Sequence, residues 1–372
     1  MRRRALAAIL LVAAGALYVP AANFIFATRM AAAIRRLASG DDGRALAVTQ
    51  ATIRRRFGDR ELAALVYGPE DAVPDRAVLL VAGVSELGCR HPRLVALART
   101  LADKGFAVLS PDIESFRRFE VSPEVIEEIA FWYRELPRAS GARRLRRLGI
   151  IGISFSGTLA IMTAARPEVR DSVDFVVAVG PYDDLARLGR GWLAAGPATV
   201  PEGRYPTRCY GKWLLMISAL DMIEDPNERR FFADALRRLL VEGKAPPAPA
   251  DLSAAGSRWY RLAVMRETES DPELEHAIQE HLEPLCRRMS PEGARDRLRS
   301  PVFLAHGAFD DLIPPAESRA LAARLRPDEV HLLVTPFLTH THPLEQPLTL
   351  GEKARGAWDL VAFLYALGRA AR

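Results

Sequence analysis

The chain has 372 residues, 49% of them hydrophobic and 26% charged, a globular balance that excludes a disordered or fibrous protein. Its net charge of +5 is small for this length, and the clusters Arg54–Arg56 and Arg143-Arg144…Arg146-Arg147 read as solvated surface, so no nucleic-acid partner is expected. Three widely spaced cysteines, Cys89, Cys209 and Cys286, with no Cys-x-x-Cys, suggest neither a zinc knuckle nor a disulfide framework.

Arg2-Arg3-Arg4 precede Ala5–Thr28, a stretch without a charged residue. A membrane-spanning helix needs about 20 apolar residues, so residues 1–28 are expected to be a single-pass anchor and the membrane a partner. A cleaved signal peptide, with Val19-Pro20-Ala21 as its cleavage site, is the alternative. Residues 29–48 read as a linker that includes a short helical piece, Met30–Leu37. Thr49–Phe57 and Arg60–Tyr67 look like strands joined at Gly58-Asp59, a hairpin signal. Ala77–Ala82 is a continuous apolar run, as in a strand buried on both faces. Pro92–Asp103 has helical spacing, Phe106–Ser110 is the next strand, and Pro123–Arg138 the next helix. Arg147–Ile153 and Phe175–Val179 are further strands, with a helical pattern, Thr158–Ala165, between them.

The alternation then stops. Tyr182–Ser300 reads as a mostly helical insert, with helices at Trp213–Asp221, Asn227–Glu242 and His276–Met289. Strand, helix and strand return at Val302–His306, Glu317–Leu325 and Val330–Val334, and Gly351–Leu367 closes the chain as a helix. A hairpin followed by strand–helix alternation predicts an α/β fold, a mostly parallel sheet covered on both faces. The core is expected at 49–181 and 301–372, with 182–300 lying over the carboxyl ends of the strands, where such sheets bind ligands.

The chemistry concentrates at three of those ends. In Gly152-Ile153-Ser154-Phe155-Ser156-Gly157 a strand runs straight into a helix, with a serine at the turn and small residues on both sides of it. A sharp turn brings neighbouring backbone close, so those flanks must be small. Serine needs a base, and the base an orienting acid. Asp310 and Asp311 follow the strand Val302–His306, and one of them can be that acid while Asp311 can cap the helix that follows. His340 and His342 follow the last strand; His340 is taken as the base, with His342 as the alternative. His-x-His as a metal site needs further ligands, and none is nearby, so no metal and no cofactor is expected. His276, His281, His306 and His331 are expected to be packed or solvated imidazoles. A tetrahedral intermediate needs two backbone donors: the N–H of Phe155, and one from Gly83–Gly88, for which Val84 is chosen. The insert's apolar residues, among them Trp192, Trp213, Leu214 and Phe231, serve either as its own core or as a wall against substrate.

The order Ser154…Asp310…His340 resembles that of the α/β-hydrolase fold family, over roughly residues 49–368. His306-Gly307-x-x-Asp310-x-x-Ile313-Pro314 is similar to the family's acid loop, and that register favours Asp310 over Asp311. Leu80-Val81-Ala82-Gly83-Val84 looks like its oxyanion segment with Ala82 in place of His, a change the backbone donor tolerates. The insert resembles the family's cap, and the whole chain resembles bacterial membrane-anchored hydrolases. The resemblance implies a serine hydrolase acting on a small-molecule acyl substrate, an ester, thioester or amide. A catalytically silent tethered binding protein, or an acyltransferase with the same triad, are the alternatives.

Overall fold

A computed structural model describes residues 21, 23–33, 46–142, 144–194, 208–264, 271–326, 329–338 and 348–371. Eight strands form one sheet: β1 (Val48–Phe57), β2 (Arg60–Pro69), β3 (Arg76–Val81), β4 (Phe106–Pro111), β5 (Arg147–Ile153), β6 (Phe175–Val179), β7 (Val302–Gly307) and β8 (Val330–Thr335). Their order is β1-β2-β4-β3-β5-β6-β7-β8. The β1–β2 hairpin turns at Gly58-Asp59, pairing Phe57 with Arg60, and β2 runs antiparallel to β4. All pairings from β4 through β8 are parallel.

Helices cover both faces. In chain order they are α1 (residues 23–33), α2 (Pro92–Asp103), α3 (Glu114–Arg117), α4 (Glu124–Ala139), α5 (Phe155–Ala164), α6 (Leu185–Leu193), α7 (Arg208–Ser218), α8 (Pro226–Glu242), α9 (Ala254–Val264), α10 (Pro272–Arg288), α11 (Ala294–Arg297), α12 (Pro315–Arg324) and α13 (Leu350–Ala371). The period of two along β3 separates the two cores. Ala77, Leu79 and Val81 pack with α4, α5 and the insert; Val78 and Leu80 pack with α1, α2 and α13.

The insert α6–α11 is tied down at both its ends. Tyr182, just after β6, donates its hydroxyl to the Met289 carbonyl, and Ser290 Oγ accepts from the Leu185 N–H. Glu317, on α12, accepts from the Asp183 and Asp184 N–H groups and from Arg187. The helix expected at Trp213–Asp221 begins earlier and is broken at Ala219, giving α7 and a short 3₁₀ turn at Leu220–Met222.

One boundary read from the sequence is corrected. Residue 28 falls inside α1, whose stripe Asn23, Ala27 and Met30 is buried at the i, i+4, i+7 spacing of one helix face. Phe26 sits against Gly368 of α13, where a Cβ would come within 2.9 Å of its ring. Residues 23–33 therefore form one helix docked on the core, and the expected boundary between residues 28 and 29 falls inside it. Residues 1–20 of the expected anchor lie outside the described residues. Among the described residues no helix is long and apolar enough to cross a membrane.

Candidate active site

Ser154 sits between β5 and α5 at φ 57°, ψ −129°. That lies close to the first central position of a type II′ turn, a conformation glycine adopts freely and other residues rarely do. Its N–H donates to the Val179 carbonyl at 2.6 Å, and its carbonyl accepts from the Gly157 N–H at 2.8 Å. The turn is so tight that a Cβ on Gly152 would lie 2.1 Å from the Ser156 carbonyl oxygen. Gly83 has the same reason to be glycine: its Cβ would meet the Ile153 carbonyl and the Ser154 Cβ, each at 3.2 Å. Ser156 is fully buried and donates to the Ala82 carbonyl, so it locks α5 to the loop after β3.

A parallel sheet with one antiparallel hairpin edge, a strained serine at the central strand-to-helix turn and an acid loop after β7 define one architecture. The chain has the α/β-hydrolase fold. No protein-family model and no curated protein matches it. Among solved structures, brefeldin A esterase, a bacterial homologue of human hormone sensitive lipase, aligns at a TM-score of 0.46 and 20% identity, over 93% of this chain and 85% of that one. Puromycin hydrolase aligns at 0.47 and 16%, over 87% and 40%. The acylaminoacyl peptidase of Pyrococcus horikoshii aligns at 0.46 and 15%, over 87% and 42%. This chain thus spans less than half the length of the last two. The fold assignment rests on the sheet and the elbow, because likenesses at these scores carry no weight of their own.

Ser154, Phe155, Val84 and Asp310 line one cavity of about 600 Å³. Asp310 is buried, and its Oδ1 accepts the Leu312 and Ile313 N–H groups at 3.1 and 3.0 Å. Its Oδ2 lies 3.5 Å from Nε2 of His306. His306, wholly buried, bonds the Ile313 carbonyl through Nε2 at 2.7 Å and Ser318 Oγ through Nδ1 at 2.6 Å. The carbonyl can only accept, so Nε2 donates to it. His306 therefore braces the acid loop, a role beyond simple packing. Asp311 is exposed, and α12 is capped by Pro314 with no side-chain bond, so Asp311 is not its cap. A Cβ on Gly307 would lie 2.4 Å from the Leu338 carbonyl, so the chain leaving β8 passes directly over the acid loop. His340 and His342 lie outside the described residues.

The insert reaches the cavity through Trp192, Tyr210 and Leu214. Tyr210 donates its hydroxyl to the Val84 carbonyl at 2.7 Å, and Trp192 Nε1 donates to the Leu312 carbonyl at 2.7 Å. The insert thus grips the two loops that flank Ser154. Trp213 and Phe231, candidates for a substrate wall, do not line the cavity. Trp213 donates to the Ala263 carbonyl inside the insert, and Phe231 packs on Phe232 and Tyr260. His91 and Arg93, at the start of α2, also line the cavity, and nothing in the local pattern marked them. Burial lowers the His91 pKa, with Arg93 adding to the effect, so its imidazole is held neutral at pH 7. Among the described residues no group of three or more His, Cys, Asp or Glu could hold a metal ion. The three cysteines are buried, and burial, with Asp112 nearby, pushes the Cys89 thiol up to about 11, where it is no nucleophile at neutral pH.

Proposed function

We propose that the protein is a serine hydrolase that cleaves a carboxylic ester, or a related thioester or amide, through Ser154, Asp310 and His340. The observation that carries this is Ser154 itself, held at a strained positive φ in one cavity with Asp310. Backbone strain of this kind costs about 1–3 kcal/mol and persists where the surroundings impose it. Here it raises a hydroxyl into a cavity instead of leaving it on a helix cap. His340 takes the Ser154 proton as Oγ attacks the acyl carbon, and Asp310 orients the imidazole and balances its charge. The oxyanion is held by the N–H groups of Phe155 and Val84. His340 then returns its proton to the leaving group, and water repeats the sequence on the acyl-enzyme. The uncharged stretch that starts at Ala5 and precedes α1 attaches the protein to a membrane in the same proposal.

The test is covalent labelling by a fluorophosphonate. The parent and Ser156→Ala should label; Ser154→Ala and His340→Ala should not. Labelling that survives Ser154→Ala, or that never occurs, overturns the proposal. Near-parental rates in His340→Ala beside a dead His342→Ala would move the base to His342.

A further inference from the structure

A second cavity, of about 530 Å³, lies on the other face of the sheet, between it and α1, α2 and α13. Among its described lining residues only Arg93 and Thr335 are polar. Protein interiors leave few spaces larger than a water, and pockets lined by apolar side chains favour apolar ligands. The two cavities are adjacent: Arg93, Leu97, Ile153, Val179 and Leu338 line both. Ile153 immediately precedes Ser154, so this shared boundary lies about one strand residue, roughly 3.3 Å of rise, from Ser154.

We infer that this second cavity receives the hydrocarbon chain of the acyl group, so that the substrate is a medium- or long-chain acyl ester whose chain runs past Ile153 and beneath α13. The inference rests on the hydrolase proposal above. A methylene is close in size to a water's share of the liquid, about 30 Å³, so the 530 Å³ space holds at most about 18 carbons. No acidic side chain is among its described lining residues, and its two polar ones do not interrupt the apolar floor along β5, β6 and β7. Phe26 and Met30 of α1 form part of the wall, which gives that helix a function besides packing.

The experiment uses the full chain and p-nitrophenyl esters from acetate to palmitate. kcat/KM should rise by up to about fourfold per added methylene until the cavity is filled, then level off. Ala96→Phe and Leu364→Trp add bulk to lining positions that do not line the Ser154 cavity, and circular dichroism checks that each has folded. Either should lower the dodecanoate-to-acetate ratio of kcat/KM at least tenfold. Binding is read separately, by dodecanoate displacing 1-anilinonaphthalene-8-sulfonate from Ser154→Ala, and should disappear when Ala96→Phe is added. Hydrolysis with a flat chain-length profile that neither variant alters overturns the acyl-chain inference and leaves the hydrolase standing. Dodecanoate binding without hydrolysis of any ester overturns both.

Discussion

Ser154→Gly and Ser154→Ala both delete the hydroxyl, but only glycine releases the backbone at φ 57°, ψ −129°. Alanine keeps the Cβ that makes this region unfavourable, so it inherits the strain of about 1–3 kcal/mol. Glycine gives back roughly 0.5–1 kcal/mol through the greater freedom of its unfolded chain. The net expectation is that Ser154→Gly is more stable than Ser154→Ala by about 0–2.5 kcal/mol, with about 1 kcal/mol at the centre of that range. With an unfolding entropy of about 2.1 cal/mol/K per residue, a chain of 372 residues shifts its Tm by only about 1.3 °C per kcal/mol. Urea titration monitored by tryptophan fluorescence, with the m-value held common, is therefore the more sensitive assay. Both variants should also be dead against p-nitrophenyl butyrate. Equal midpoints for the two, or a lower one for glycine, would refute the claim that the turn stores strain at the nucleophile.

Three further outcomes are expected. Asp310→Asn keeps an oxygen for the Leu312 and Ile313 N–H groups, so the loop should survive while kcat falls by orders of magnitude; the exposed Asp311→Asn should stay within about twofold of the parent in the same ester assay. Tyr210→Phe removes the bond to the Val84 carbonyl without changing packing, which should cost about 1 kcal/mol in denaturant unfolding and lower kcat more than it raises KM. Burial pushes the Lys212 ammonium from about 10.5 down to about 8. Between those values the unfolded chain holds a proton the folded one has lost, so this group's contribution to stability rises with pH across the window, by up to roughly 3 kcal/mol. Cys89 and Cys286, pushed up to about 11, act in the opposite sense, so the contribution is read as the difference between the parent and Lys212→Met, which should grow from pH 8 to 10.5.

The central strands β3 to β7 were legible in the sequence because each is a short, largely apolar run, the composition expected of a strand buried on both faces, whereas the more polar β1 was legible with β2 through the Gly58-Asp59 hairpin turn. The elbow was legible for a local reason: a Cβ at 152 would collide with the backbone of residues 156 and 157, four and five positions on, so only glycine fits there. α6 was not legible, because its face is set by what the insert folds against and not by a long periodic run.

Other assignments waited on tertiary contacts. An uncharged stretch has the same hydropathy whether it meets lipid or protein, so nothing in residues 23–28 announced their contact with α13. Aromatic residues at helical spacing say that a face is apolar but not what covers it. Only the packed insert separates Tyr210 and Leu214, which face the cavity, from Trp213, which is buried within it. The second cavity is the space left between α2, α13 and the sheet, and a space has no residues of its own to announce it. Sequence by itself determined which backbone turns and which buried strands the chain can make, since those depend on a residue and its near neighbours. The fold decided which side chains share a site, since that depends on distances closed between segments more than a hundred residues apart.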